Sequence, residues 1–297
     1  MSDRKSFIKN ISLFTLGLPL INKKGIDFLE RSSKENSRKI SSIGIQLYMV
    51  KEAMEKDAPG TLKSLGRMGY KQLESYGGNK GMFWGMSNKQ FKTLAADNGL
   101  SLVSSHYNEE PQGFEKQVEQ AAAIGLKYLI CPWKGPQPSI ENFKRFADEF
   151  NTNGEICKKH GLRFAYHPHD YPYKKIDGQL PIDVLLANTD KELVDFEMDF
   201  YYTITEGQDP ENYLKKYSHR FKLGHLRDVL KIRLPVNSTE ESATDLGEGV
   251  VNYSQLLTTA IDNGMKYFFV EQSRFFNETP LQSAKKNFDY LSRFRLK

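Results

Sequence analysis

From residue 41 onward, apolar β-favouring runs alternate with helical stretches at a regular beat. The runs lie at 43–48 (IGIQLY), 70–75 (YKQLES), 101–106 (SLVSSH), 127–131 (KYLIC), 162–167 (LRFAYH), 193–199 (LVDFEMD), 221–226 (FKLGHL) and 266–271 (KYFFVE). Helical stretches fall at 58–68, 87–97, 112–124, 139–159, 181–188, 209–217, 253–263 and 280–295. Gly69, Gly99, Gly125, Gly161 and Gly264 each close a helical stretch just before the next run. That is the place of a left-handed cap ahead of a helix-to-strand turn. Strands alternating with helices predict parallel βαβ units. Eight such units in about 250 residues predict a single (β/α)8 TIM barrel over 41–297. The competing doubly wound sheet lacks a Gly-x-Gly-x-x-Gly after the first run. No low-complexity segment and no second domain interrupt the pattern.

In such a barrel, chemistry sits at the carboxyl ends of the strands. The last residues of the predicted strands are Glu74, His106, Cys131-Pro132-Trp133, His167-Pro168-His169-Asp170, Asp199, His225-Leu226-Arg227-Asp228 and Glu271. Four of the six histidines, His106, His167, His169 and His225, stand at these ends; His160 and His219 precede strands 5 and 7. A single strand-end histidine is more often a satisfied core residue. Four of them converging with carboxylates make metal-ligand chemistry the better reading.

Residues 1–40 differ in kind. SDRKSFIKN at 2–10 precedes the apolar ISLFTLGLPLI at 11–21, a basic region followed by a stretch of signal-peptide length. The leader is similar to a twin-arginine export signal with Lys5 at the second arginine, and export to the periplasm is expected. Residues 22–40 read as a linker. Of the 297 residues, 39% are apolar and 27% charged, enough for a large core. Two cysteines exclude a disulfide scaffold. The net charge of +5 invites a nucleic-acid reading. The leader holds nine Lys/Arg against four Asp/Glu, and the remainder holds 33 of each. A neutral body argues against a nucleic-acid groove. No apolar run reaches the length of a membrane span.

Over residues 43–295 the sequence resembles the sugar phosphate isomerase/epimerase family, the xylose isomerase-like TIM barrels. The resemblance is carried by IGIQLY (43–48), GYKQLES (69–75), SSHY (104–107), YHPHDYPY (166–173), DFEMDFYY (195–202), HLRD (225–228), GEG (247–249) and FVEQS (269–273). It implies one divalent ion held by His167, Asp199, His225 and Glu271. A mixed nitrogen and oxygen shell suits Mn, Zn, Co or Fe better than Mg. It also implies proton abstraction beside a carbonyl of a carbohydrate, with Glu271 as the base. His167 stands where well-studied ketose epimerases of the family carry a glutamate, so the symmetric carboxylate pair of those enzymes is missing. The second proton-transfer group is expected at His169, with Glu74 and His106 as alternatives, or is absent, which would suit elimination from a keto-sugar.

The remaining candidates are substrate contacts. Trp133, Tyr171, Trp84 and Arg227 are expected to touch a sugar, and Tyr76, Tyr173 and Tyr201 stand beside the same strand ends. Asp170 and Asp228 either orient histidines or cap loops. Cys131 is expected in the barrel interior, Cys157 in helix packing, and Lys174-Lys175 on the surface. The glutamate inside Gly247-Glu248-Gly249 disfavours a phosphate dianion there, so a non-phosphorylated substrate is expected. Three functions compete: a carbohydrate isomerase/epimerase, which the resemblance favours; a lyase or dehydratase of a keto-sugar or keto-glycoside at the same metal; and a non-catalytic sugar-binding barrel. An oligomer is compatible with the sequence.

Overall fold

The computed structural model describes residues 40, 42–108, 113–230 and 242–294. The expected leader and linker lie outside the described residues except for Ile40, as does the first residue of the helix expected at 112–124.

The barrel strands are β1 (Gly44–Gln46), β2 (Gln72–Tyr76), β3 (Ser101–His106), β4 (Tyr128–Cys131), β5 (Arg163–Tyr166), β6 (Val194–Asp199), β7 (Phe221–Leu226) and β10 (Tyr267–Val270). They close in the order β1-β10-β7-β6-β5-β4-β3-β2, and every pairing is parallel. A two-stranded antiparallel hairpin, β8 (Asp228–Val229) with β9 (Ala243–Thr244), stands after β7. The helices are α1 (Lys51–Met68), α2 (Asn88–Asp97), α3 (Phe114–Ala122), α4 (Ile140–Lys159), α5 (Pro181–Asn188), α6 (Phe200–Thr205), α7 (Pro210–Lys216), α8 (Tyr253–Asp262) and α9 (Pro280–Ser292). Among the described residues, no helix is long and apolar enough to cross a membrane.

Local chemistry sets these boundaries. The five glycines expected as left-handed caps all have positive φ, from +70° to +113°. Ser87 and Gln90 form a capping box at the start of α2, and Thr279 and Gln282 form one at the start of α9. Helix α1 begins earlier than the expected residue 58. Asp57, at φ −154°, breaks it into two pieces, and its Oδ1 accepts the Gly60 N–H at 2.9 Å. The expected start is that of the second piece. Helix α6 was not expected; Asp199 nucleates it by accepting the Tyr202 N–H at 3.2 Å.

Two apolar clusters hold the barrel. The larger lies between strands and helices and contains Leu129, Cys131, Phe164, Phe196 and Met198. Cys131 therefore faces the helices, not the interior; alternation along β4 turns Tyr128 and Ile130 inward instead. Burial drives its thiol up to about 12. Cys157 is buried on α4, as expected. The smaller cluster fills the interior with Val103, Tyr128, Ile130, Ala165, Leu223 and Phe269. Gly44 leaves room for the Phe269 ring, which a Cβ would strike.

Two register shifts position the site. Between β2 and β3 the pairing moves from Leu73–Leu102 to Glu74–Ser104. Between β6 and β7 it moves from Phe196–Phe221 to Glu197–Leu223. Each irregularity falls immediately before a buried glutamate, and such bulges re-aim side chains beside functional sites.

Candidate active site

Two residues above the interior apolar cluster, the same strands turn polar. Ala165 on β5 gives way to His167, Leu223 on β7 to His225 and Phe269 on β10 to Glu271. On β6 the inward residues are Asp195, Glu197 and Asp199, all buried. Glu74, Glu197 and His225 are fully buried, and His106 and His167 nearly so.

His225 is the hub. Its Nδ1 lies 2.8 Å from Glu271 Oε2, and its Nε2 lies 2.6 Å from Glu74 Oε1 and 3.3 Å from Glu197 Oε2. Glu197 Oε2 also lies 3.0 Å from His106 Nε2 and 3.4 Å from His167 Nδ1. Burial opposes charge on His225, yet Glu197, Glu271 and Glu74 hold it protonated well above its ordinary range. Burial likewise opposes the carboxylates, but the facing imidazoles bring Glu271 down to about 2 and keep Glu74 lower still. Glu197 is held at about 2 against burial and the nearby charge of Glu74, by His225, His106 and His167. Burial, then Glu74 and Glu197, act on His106, and the carboxylates win, lifting it to about 9. Burial and the charge of His225 push His167 well below its usual value. Burial brings His169 down to about 4.

A cavity of about 350 Å³ opens above this layer. His106, His167, His169, Arg227, Glu271 and Trp133 line it, and Glu271 is its one carboxylate among the described residues. Trp133 is half exposed and packs edge-on to His169 with ring centroids 4.8 Å apart. Arg227 donates to Asp199 Oδ2 at 2.9 Å and to Ser273 Oγ at 2.8 Å, and lies over the Tyr201 ring. Asp199 is thus one of its ion-pair partners. Burial lifts the Asp199 carboxyl although Arg227 pulls it down.

The structure brings His167, Asp199, His225 and Glu271 together, with one donor atom of each within 4.8 Å of the others. Three expected contacts fall elsewhere. Glu74 does not line the cavity: Gln46, Ser104 and His225 saturate it from below, at 2.8, 2.6 and 2.6 Å. Its expected role as alternative base is corrected to that of a buried partner. Trp84 is buried at φ +56°, and its Nε1 donates to Ser75 Oγ at 3.1 Å, behind Tyr76. Tyr171 is buried behind Trp133, with its hydroxyl 2.8 Å from that of Tyr166. Neither ring reaches the cavity. Asp228 caps a loop: its carboxylate accepts the N–H groups of Gly247, Gly249 and Val251 at 3.0, 3.3 and 3.1 Å. Asp170 pairs with Lys174 on the surface.

Glu197 was missing from the expected set. Its signal was present: in 195–199 (DFEMD) the acids recur at every second position, and the residues between them, Phe196 and Met198, pack outward. Glu197, His106, His167 and His225 form a second convergent group, again with donor atoms within 4.8 Å. Mixed imidazole and carboxylate donors suit a divalent transition ion. The structure itself calls for a further partner here: His167 Nδ1 and Glu197 Oε1 are buried without a hydrogen bond. The cluster is compatible with a divalent metal.

An eight-stranded parallel barrel with this polar floor defines a class, and comparison places the chain within it. Residues 62–294 match the model of the xylose isomerase-like TIM barrel family, and the chain belongs to that family. A relative from Bacillus cereus named inosose dehydratase 2 is 26% identical over 199 residues, covering 58% of this chain and 65% of that protein. The chain therefore spans just under two thirds of that relative's length. A sugar phosphate isomerase/epimerase from Parabacteroides distasonis superposes with a TM-score of 0.75 at 26% identity, over 86% of this chain and 99% of the other. The protein IOLI, whose structure holds a zinc atom, shares the fold with a TM-score of 0.65 at 14% identity, over 85% of this chain and 98% of the other.

Proposed function

We propose that this protein is a metal-dependent lyase that dehydrates a cyclic keto-carbohydrate. The observation that carries the reading is that, among the described residues, one carboxylate, Glu271, faces the cavity. Inversion by a pair of carboxylates needs one on each face of the substrate, and Glu74, the alternative, is sealed beneath the floor. Elimination needs one base whose proton is returned to a leaving group. Glu271 removes the proton beside the carbonyl. The electron pair moves toward the carbonyl oxygen and then expels the hydroxyl on the next carbon. The proton passes from Glu271 to that hydroxyl, directly or through His169, and water leaves. Trp133 offers a face to the ring, and Arg227 orients the oxygens from the cavity wall.

His167 and His225 belong to both convergent groups and would hold a divalent ion with either pair of partners. When bound, such an ion supplies positive charge that stabilises the developing enolate oxygen. Mn, Zn, Co or Fe fits the donors best. The name of the 26% identical relative, inosose dehydratase, points to the same reaction class.

A non-phosphorylated substrate is part of the proposal. The N–H groups of the Gly247–Gly249 turn, where a phosphate would dock, already serve the Asp228 carboxylate. A Cβ on residue 249 would collide with that carboxylate. Export to the periplasm, inferred from the leader, also favours unphosphorylated sugars. The second reading, an isomerase/epimerase, is favoured by the Parabacteroides distasonis protein's name and near-complete overlap.

The test is NMR of products from a panel of keto-sugars and keto-cyclitols in D₂O, using protein of known metal content. Loss of one hydroxyl from the product supports the lyase. Retention of every oxygen, with deuterium at one carbon, supports the isomerase and sinks the lyase.

A further inference from the structure

We infer that Asn108 is a specificity-determining contact for the substrate, a side-chain amide fixed on the cavity wall to read a hydroxyl remote from the reacting carbon. The inference rests on the proposal that the cavity takes a cyclic keto-carbohydrate; it assigns one of the groups that recognise it.

The first argument is how the chain holds this residue. Strand β3 ends at His106, and the Tyr107 N–H still donates to the Ile130 carbonyl at 3.0 Å. One step further, Gln117 takes the place of a neighbouring strand. Its Oε1 accepts the Asn108 N–H at 3.3 Å, and its Nε2 donates to the Asn108 carbonyl at 2.8 Å. Gln117 lies on α3 beside Val118 and Ala121, and all three are buried. A polar residue in that position is tolerated because its amide is filled on both sides. The clamp uses both backbone groups of Asn108, so its side-chain amide is the polar group that remains.

The second argument is room. Gly77 follows β2 and donates its N–H to the His106 carbonyl at 2.9 Å. A Cβ on it would lie 2.7 Å from Asn108 Cγ and 2.8 Å from Oδ1. Its φ is outside the left-handed region, so glycine supplies space here and not a turn. Both residues line the cavity, and among the described residues the Asn108 amide makes no hydrogen bond. A primary amide offers two donors and an acceptor, a set that vicinal sugar hydroxyls complement. In the closed ring β3 stands opposite β7, and β7 pairs with β10. Asn108 therefore faces the wall that carries Arg227 and Glu271. A ring with its carbonyl end against that wall presents its far hydroxyls to Asn108, and a neutral amide reads them without adding charge near the base.

The probes are inosose and the other keto-sugars and keto-cyclitols of the panel, with monodeoxy analogues of whichever the wild type dehydrates. Kinetics of the metal-replete full-length protein are followed by NMR. Asn108→Ala should raise KM about tenfold, the worth of one good hydrogen bond, with a far smaller change in kcat. One monodeoxy analogue should show a similar rise in KM with the wild type. With Asn108→Ala that analogue should do no worse than its parent, because hydroxyl and amide form one interaction. Gly77→Ala keeps the amide but displaces it, and should reproduce the rise in KM. Thermal unfolding checks that both variants are folded. An unchanged KM in Asn108→Ala, or discrimination among the analogues that survives the substitution, overturns the inference and leaves the lyase in place. A parallel fall in kcat and Tm marks a purely structural role and overturns it too. A wild type that dehydrates no member of the panel overturns the proposed function, and the inference with it.

Discussion

Two layers of the barrel interior, one above the other, obey opposite rules. The lower layer is largely apolar: Val103, Ile130, Ala165, Leu223 and Phe269 fill it with side chains that need no partner, while the inward Asp195 beside Ala165 is paired with Arg163 at 2.8 Å. The upper layer holds Glu74, His106, His167, Glu197 and His225, each buried and each within reach of another. The lower layer is stable through removal from water. The upper layer persists only through mutual neutralisation, because buried charges are tolerated when paired. The contrast teaches that a two-residue step along a barrel strand separates scaffold from chemistry, and that the scaffold below fixes where the chemistry points.

The sharpest way to break that contrast is to remove the hub. His225→Ala leaves Glu74, Glu197 and Glu271 facing one another. It should cost about 3–5 kcal/mol in urea unfolding, the range for stranding a buried charge. Metal content and activity should vanish with it. Phe269→Ala in the lower layer should cost a similar 3–5 kcal/mol through the cavity it opens. It should keep its ion, read by metal analysis of the folded fraction. Equal metal loss in both variants would erase the distinction between the layers.

A smaller effect separates the layers by pH. In the metal-free chain the folded value of His106, about 9, lies above its ordinary 6.5. A raised histidine contributes stability that is fully present below about pH 6.5 and is lost as pH rises through about 9. The stability difference between metal-free wild type and His106→Gln should shrink between pH 6 and pH 10. The penalty of Phe269→Ala should stay constant over the same range.

The smallest effect is expected at the rim. Trp133 is 48% exposed, so Trp133→Ala should change stability by no more than ~0.5 kcal/mol. Loss of a ring contact worth about 1 kcal/mol should raise KM about fivefold with kcat little changed.

The sequence made the lower layer and the strand count legible because periodicity is local: apolar runs, helix caps and glycine positions each speak for themselves. The histidines were legible for the same reason, standing at run ends. What it hid depended on pairing between distant strands. Glu197 reads as one more strand residue until the β6–β7 register turns it toward three imidazoles. Glu74 looked available until Gln46, Ser104 and His225 were seen to occupy its oxygens. Trp84 and Tyr171 lie in strand-end loops, yet hydrogen bonds to Ser75 and Tyr166 turn them away. Asp199 carried two signals at once, a strand-end acid and the cap of a helix too short to show a period.

Solvent exchange in Glu271→Gln, followed by NMR in D₂O on a turned-over keto-carbohydrate, tests most directly whether one carboxylate does the proton transfer. The amide keeps the shape and can still accept from His225 Nδ1, so fold and metal content should remain. Deuterium incorporation beside the carbonyl should fall by at least ~100-fold, the lower range for loss of a general base. Exchange at the wild-type rate in a metal-replete Glu271→Gln protein would contradict the assignment and move the base to an imidazole of the same cavity, His169 or His106.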